Sequence, residues 1–148
     1  MTNYKGYTFE YHYKFKKEFE KIINKNECPS FKTDFKLLYD ALIMKLMESK
    51  NFSPNLCMRM SGLEKNVTIP AFIIKKFRCK KINKGSRSGF RITFLFSHDQ
   101  NKFIFVEIFK KNEKKIPDKK RINDLFIKPV KIHDELYDDE EKYLAEID

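Results

Sequence analysis

What the chain lacks narrows the possibilities first. Its 148 residues contain no uninterrupted apolar run near the roughly 20 residues of a membrane span. The start, Met1-Thr2-Asn3-Tyr4-Lys5, has no signal-peptide core, so a soluble cytoplasmic protein is expected. Cysteine is scarce: Cys28, Cys57 and Cys79 are odd in number, far apart and without the close pairing of metal sites. They read as buried thiols in a reducing compartment. No metal-ligand set appears, and neither a metal nor another cofactor is expected. No internal repeat is visible. Glycine occurs only four times, yet Gly85 and Gly89 fall in one short turn. Arginine is scarcer than lysine, 5 against 26, yet Arg78, Arg87 and Arg91 lie close together. In a chain that uses lysine by default, clustered arginine marks places where a planar two-pronged donor is needed, most commonly for phosphate.

What is present is apolar content sufficient for one core, 41%, and a net charge of +10. That charge is uneven. Residues 133–148 hold eight carboxylates against Lys142 alone, −7, whereas residues 1–132 hold thirty cations against thirteen carboxylates, +17. The expected organisation is a basic domain over residues 1–132 and an acidic tail over 133–148. The basic excess predicts a polyanionic partner such as RNA or DNA, or an acidic protein.

Alternation of aromatic and polar residues predicts a first strand over residues 7–13, with His12 in a structural role. Phe15, Phe19, Ile22 and Ile23 have helical spacing over residues 15–25. Ser30 caps a longer helix with the stripe Phe31, Phe35, Leu38, Leu42 and Leu46, beside which Met44 and Met47 read as packing residues. Residues 51–70 are irregular and contain Pro54, Gly62 and Pro70. A strand over 71–82 follows, in which Ile73, Phe77 and Cys79 are expected to face the core and Lys75 breaks the alternation. Pro117, Asp118, Ile122, Leu125 and Phe126 predict a last short helix over 117–128.

The centre of the reading is a hairpin. Residues 90–96 and 103–109 are apolar runs joined by the polar turn Ser97-His98-Asp99-Gln100-Asn101-Lys102. Antiparallel pairing brings Arg91 beside Lys110 and Lys111. Strict alternation sends Phe90, Ile92, Phe94 and Phe96, with Ile104, Val106 and Ile108, to the core. It leaves Arg91, Thr93 and Leu95, with Phe105, Glu107, Phe109 and Lys111, on the other face. The expected fold is α+β: about four antiparallel strands, two N-terminal helices on one face, a short C-terminal helix, and the opposite sheet face open.

Three segments then carry a resemblance. Phe77-Arg78-Cys79-Lys80-Lys81, Lys84-Gly85-Ser86-Arg87-Ser88-Gly89-Phe90-Arg91-Ile92 and Glu107-Ile108-Phe109-Lys110-Lys111-Asn112-Glu113-Lys114 resemble the RelE/ParE superfamily of bacterial and archaeal toxins, and its RelE/HigB-like branch in particular. The likeness spans residues 7–128 in element order, with its specific motifs between Lys76 and Lys115. It implies a microbial-RNase-type fold that cuts messenger RNA, usually on the ribosome, and is neutralised by a cognate antitoxin. By position it implies roles for Arg78, Arg91, Arg87 and Lys111. The turn is one residue shorter than in many relatives. Phe109 stands near where several place a catalytic tyrosine or histidine, and neither His98 nor His133 replaces it.

Cleavage of RNA through its 2′-hydroxyl requires proton removal, stabilisation of the phosphorane oxygens and protonation of the leaving oxygen. Arg91 and Arg78 suit the second task. Lys111, crowded by Arg91, Lys110 and Lys114, suits proton transfer. Glu113 or Glu107 suits a base or orienting partner, and Phe109 or Phe105 a stacking platform. Lys76, Lys80, Lys81, Lys84, Arg87, Lys110 and Lys114 complete the expected RNA surface. Alternatives are a ParE-like inhibitor of DNA gyrase, a catalytically silent relative that binds RNA or protein, and a solvated basic hairpin end without a site. The acidic tail is either a solvated strip or one that folds back over the basic side.

Overall fold

The computed structural model describes residues 2–25, 28–49, 52, 56–77 and 89–136. In chain order they form β1 (Thr2–Tyr4), β2 (Tyr7–His12), α1 (Tyr13–Lys25), α2 (Phe31–Ser49), β3 (Met58–Arg59), β4 (Ala71–Phe77), β5 (Phe90–Ser97), β6 (Lys102–Lys110), α3 (Lys119–Asp124) and β7 (Ile132–His133). The strands lie in the order β1-β2-β6-β5-β4-β3, and β7 pairs with β2. Class α+β holds, but the sheet is mixed rather than a four-stranded antiparallel one. β2 and β6 run parallel, with Thr8 beside Lys102 and Tyr11 beside Phe105. The two helices return the chain across one face, so the last strand of the β4–β5–β6 meander settles against β2 in the same direction. The additional strands are only two or three residues long and give no alternation to read. β1 joins β2 through Lys5 and Gly6, whose φ values of 54° and 88° suit a tight hairpin turn.

One sheet face packs under α1 and α2, and its core is built of rings. Phe9 stacks on Tyr39 at 4.1 Å and on Phe103 at 5.0 Å. Phe105 sits fully buried among Tyr11, Phe15, Phe35 and Phe94. The predicted α2 stripe is buried, with Tyr39 and Ile43 added. The hydroxyls of Tyr11 and Tyr39 satisfy one another inside this layer. Met44 and Met47 do not pack as expected: they are 56% and 73% exposed, on the side of α2 turned away from the sheet.

A bulge corrects the predicted faces of β6. Thr93 pairs with Glu107, but the next residue of β5, Phe94, pairs with Phe105. Val106 is therefore the extra residue on β6, and alternation inverts across it. Phe103 and Phe105 join the aromatic core, while Ile104 and Val106 belong to the opposite face. β4 carries a similar irregularity between Ile74 and Phe77, which leaves Lys75 and Lys76 both exposed. It also returns Phe77 to the aromatic side, whereas Ile73 packs on the other.

That other face is not open. Met60, Ala71, Ile73, Leu95, Val106, Phe109 and Ile122 form a second buried cluster, joined at its margin by Leu63, Val67, Ile69, Leu125 and Phe126. The irregular segment 60–70 and the α3 region supply its cover. Their apolar residues are too widely spaced in sequence to announce a shared layer.

Cys28 is disulfide-bonded, against the expectation of three free thiols, and Cys57 is a buried free thiol whose pKa burial pushes up to about 12. Cys79 lies outside the described residues. Past Lys131 the chain stays in the fold: β7 pairs with β2, and Leu136 is buried in the aromatic core. Residues 137–148, most of the acidic end, lie outside the described residues. Among the described residues no helix is long and apolar enough to cross a membrane.

Candidate nucleic-acid interface

β5 begins where β6 ends, so residues far apart in sequence meet at one end of the sheet. Phe90 pairs with Lys110 and Arg91 with Phe109, and the Lys111 amide donates to the Gly89 carbonyl at 3.3 Å. Arg91, Lys110 and Lys111 are thus brought together as the hairpin predicted. They do not share a face. Lys110 lies with Phe90 on the α1 side, while Arg91 and Phe109 lie on the opposite side.

The chain then turns tightly, with the amides of Glu113 and Lys114 both donating to the Lys110 carbonyl at 3.2 Å, and crosses the second face. A polar network fixes this crossing. Glu107, only 2% exposed, accepts from the Lys114 ammonium and, at 2.8 Å, from the Asp118 amide. Arg91 donates through Nη1 to the Lys115 carbonyl at 2.9 Å, and its Nε is buried without a hydrogen-bond partner among the described residues. The Asp118 side chain accepts from the Arg121 amide at 3.0 Å and so caps α3.

This arrangement reassigns several residues. Phe109 is 9% exposed and lies under the Lys114 ammonium, 5.3 Å from the ring centroid, so its face is covered rather than offered to a base. Phe105 is sealed in the aromatic core. Glu107 is a buried, ion-paired anchor of the 111–118 segment, not a solvent-facing base. Of the cations expected to crowd Lys111, Lys114 is held by Glu107 and Lys110 lies 3.8 Å from Glu113, which leaves Arg91, whose Nη1 donates to the Lys115 carbonyl. Glu113 itself is largely exposed. Lys76 is exposed on β4, two strands from β6. Arg78, Lys80, Lys81, Lys84 and Arg87 lie outside the described residues.

The sequence did not reveal what happens along the edge of β6. β2 ends at His12, whereas β6 continues to Lys110, so the outer backbone of β6 beyond Phe105 has no neighbouring strand. Two side chains take its place. Glu18 of α1 accepts from the Ile108 amide at 3.3 Å, and Arg121 donates to the Val106 carbonyl at 2.8 Å. The same two residues form a two-pronged pair, with both contacts at 2.9 Å. Burial works against the Arg121 charge, but the bond and attraction to Glu18, helped by Glu107 and Asp118, hold its pKa above the ordinary arginine value. His12, 3% exposed, accepts the Lys14 amide on Nδ1 at 3.0 Å. Burial, then Arg121 and Lys14, lower its pKa to about 4, so it stands neutral near pH 7, in the structural role expected.

Beside this edge, between α1 and the end of β6, lies a cleft of about 210 Å³ lined by Glu18, Lys21, Ile22, Lys25, Ile108, Phe109, Lys110 and Glu113. Of these, only Phe109, Lys110 and Glu113 were expected from the sequence as site residues, with Ile22 and Ile108 expected in the core. Lys21 and Lys25, four residues apart on the polar side of α1, were the available signal. No family model matches the chain, and no curated protein or solved structure matches it either.

Proposed function

We propose that the protein is an RNA-directed toxin of the RelE/HigB-like kind: an endoribonuclease that cuts messenger RNA on the ribosome, needs no metal and is held in check by an antitoxin protein. The observation that carries this reading is the convergence of Arg91, Lys110, Lys111 and Lys114 at one end of the β5–β6 hairpin, next to a cleft rimmed by further lysines. Of these, Arg91 and Lys111, which have no ion pair among the described residues, would stabilise the extra negative charge of a pentavalent phosphorus centre there. Arg91 is the residue suited to this role, since Nη1 is anchored to Lys115 and the rest of the guanidinium is held in one orientation. Lys111 is the nearest candidate for proton transfer and Glu113 for a base.

The decisive measurement is RNA cleavage by purified protein, with and without ribosomes, for the wild type and Arg91→Ala. Loss of one transition-state cation lowers the rate by about 100-fold or more. Equal cleavage by the two proteins would remove Arg91 from the mechanism. A second reading, a catalytically silent RNA binder, draws on Phe109: it has no proton to donate and its ring is covered by Lys114. Tight RNA binding without strand scission, by wild type and in the presence of ribosomes, selects that reading. Gyrase-dependent DNA breaks in place of RNA cleavage would select a ParE-like action.

A further inference from the structure

We infer that the cleft between α1 and β6 is a nucleotide subsite: Lys21 and Lys25 hold the phosphate of a single-stranded RNA, and the apolar floor takes its base. The inference rests on the proposed RNA-directed function and extends it to a surface outside the hairpin end.

Three features of the cleft carry it. The first is charge that has not been spent. Glu18 is committed to Arg121 and the Ile108 amide, and Glu113 lies near Lys110. Lys21 and Lys25 are exposed and have no ion pair among the described residues. They stand one helical turn apart, about 5–6 Å between Cβ atoms, close enough to share one phosphate or to take two in succession. The second is the floor. Ile22 and Ile108 are buried members of the core that also line the cleft, an apolar surface beneath a rim of ammonium groups. The third is size. At about 210 Å³ the space falls below the ~300–1,000 Å³ of ordinary drug-sized ligand pockets and suits one flat ring with its phosphate.

The edge capping argues against the rival occupant, an acidic peptide. A peptide adding itself as a strand would need the free backbone groups of β6. The Ile108 amide is already taken by Glu18 and the Val106 carbonyl by Arg121. A base and phosphate need neither group. A strand of RNA leaving the cleft past Lys110 would turn over the end of the hairpin at Lys111 to reach Arg91 on the opposite face, so the subsite would hold a nucleotide flanking the cleaved bond.

The test uses the full chain, a fluorescent single-stranded oligoribonucleotide and the Lys21→Gln/Lys25→Gln variant, whose thermal transition is first checked against wild type. Loss of the contacts lowers the slope of log affinity against log salt by about 0.7 for one shared phosphate and about 1.4 for two, and the affinity by about 5- to 30-fold near 0.1 M salt. An oligonucleotide lacking bases should bind wild type about fivefold or more weaker than the complete one. An unchanged slope in the variant, while wild type still binds and cleaves RNA, overturns the subsite and leaves the function standing. Equal binding of the baseless strand overturns the placement of a base. If a glutamate-rich peptide occupies the cleft while RNA binds without regard to Lys21 and Lys25, the occupant is a protein. If wild type binds no RNA at all, the subsite and the function fall together.

Discussion

The two faces of the sheet are built on different principles. Under α1 and α2 the layer is dominated by stacked and tilted rings, with the Tyr11–Tyr39 hydroxyl pair inside it. On the opposite face a smaller, largely aliphatic cluster is bordered by Glu107–Lys114, Glu107–Asp118, Asp118–Arg121 and Arg121–Glu18 contacts. The buried side-chain atoms without a hydrogen-bond partner among the described residues, Arg91 Nε, Thr93 Oγ1 and Arg121 Nε, belong to this second region. The first face gains stability from area removed from water, a term that pH hardly touches. The second places charge at depth, which costs desolvation and is tolerated where a segment must be held in one place. What it holds is the 111–118 crossing, and with it the orientation of Arg91.

The contrast can be broken at its strongest point first. Phe105→Ala removes a fully buried ring in contact with Phe9, Tyr11, Phe15, Phe35, Tyr39, Phe94 and Phe103. Urea denaturation should show a loss of about 3–5 kcal/mol. A loss below ~1.5 kcal/mol would mean that the aromatic layer is loosely packed and the comparison misplaced.

The next effect is one of pH. His12 has a folded pKa of about 4 against 6.5 in the unfolded chain. Between these values the unfolded state binds the extra proton, so stability falls as pH drops from about 6.5 towards 4 and is fully present above 6.5. The loss amounts to at most about 3 kcal/mol. Asp40, whose pKa is lowered chiefly by its bond from Tyr4 and then by Lys5, contributes in a different window: its share is present above the unfolded value of 3.8 and is lost below it. Melting curves across pH 4–6.5 for wild type and His12→Gln separate the two, and equal slopes would remove His12 from the account.

A smaller loss, about 1.5–3 kcal/mol, is expected for Glu107→Gln, which keeps an acceptor for the Asp118 amide but gives up the charge that binds Lys114. Calorimetry gives the value, and a variant as stable as wild type would show that the ion pair contributes only position. Met44→Lys and Met47→Lys touch neither face and should change stability by less than ~0.5 kcal/mol. A larger loss in either would place these side chains in a contact that their exposure denies.

The elements with long periodic signals were legible. The stripes Phe15–Phe19–Ile22 and Phe31–Phe35–Leu38–Leu42–Leu46 marked both helices, and the turn after Ser97 marked the hairpin that unites Arg91 with Lys110. What escaped has two causes. One inserted residue, Val106, reverses the faces of half a strand, and a strict period of two has no means to show it. Long-range partners such as Glu18 with Arg121 have no local signature. The candidate site was legible as a concentration of charge and illegible as geometry, because covering Phe109 and burying Glu107 depend on where the chain goes after Lys110.

The parallel pairing of β2 with β6 also dictates a timetable. The β4–β5–β6 meander joins neighbours in sequence, but β2 must find a strand made about a hundred residues later, a closure that slows folding and raises contact order. During synthesis Phe9, Tyr11, Phe15 and Phe19 emerge first and have no sheet to cover them until β6 has left the ribosome. The nascent chain thus carries the most aromatic part of its interior with only α2 to pack against for most of its elongation. Apolar surface exposed in that interval invites aggregation, so what shields the N-terminal third bears on yield in a cell alongside the stability of the finished fold.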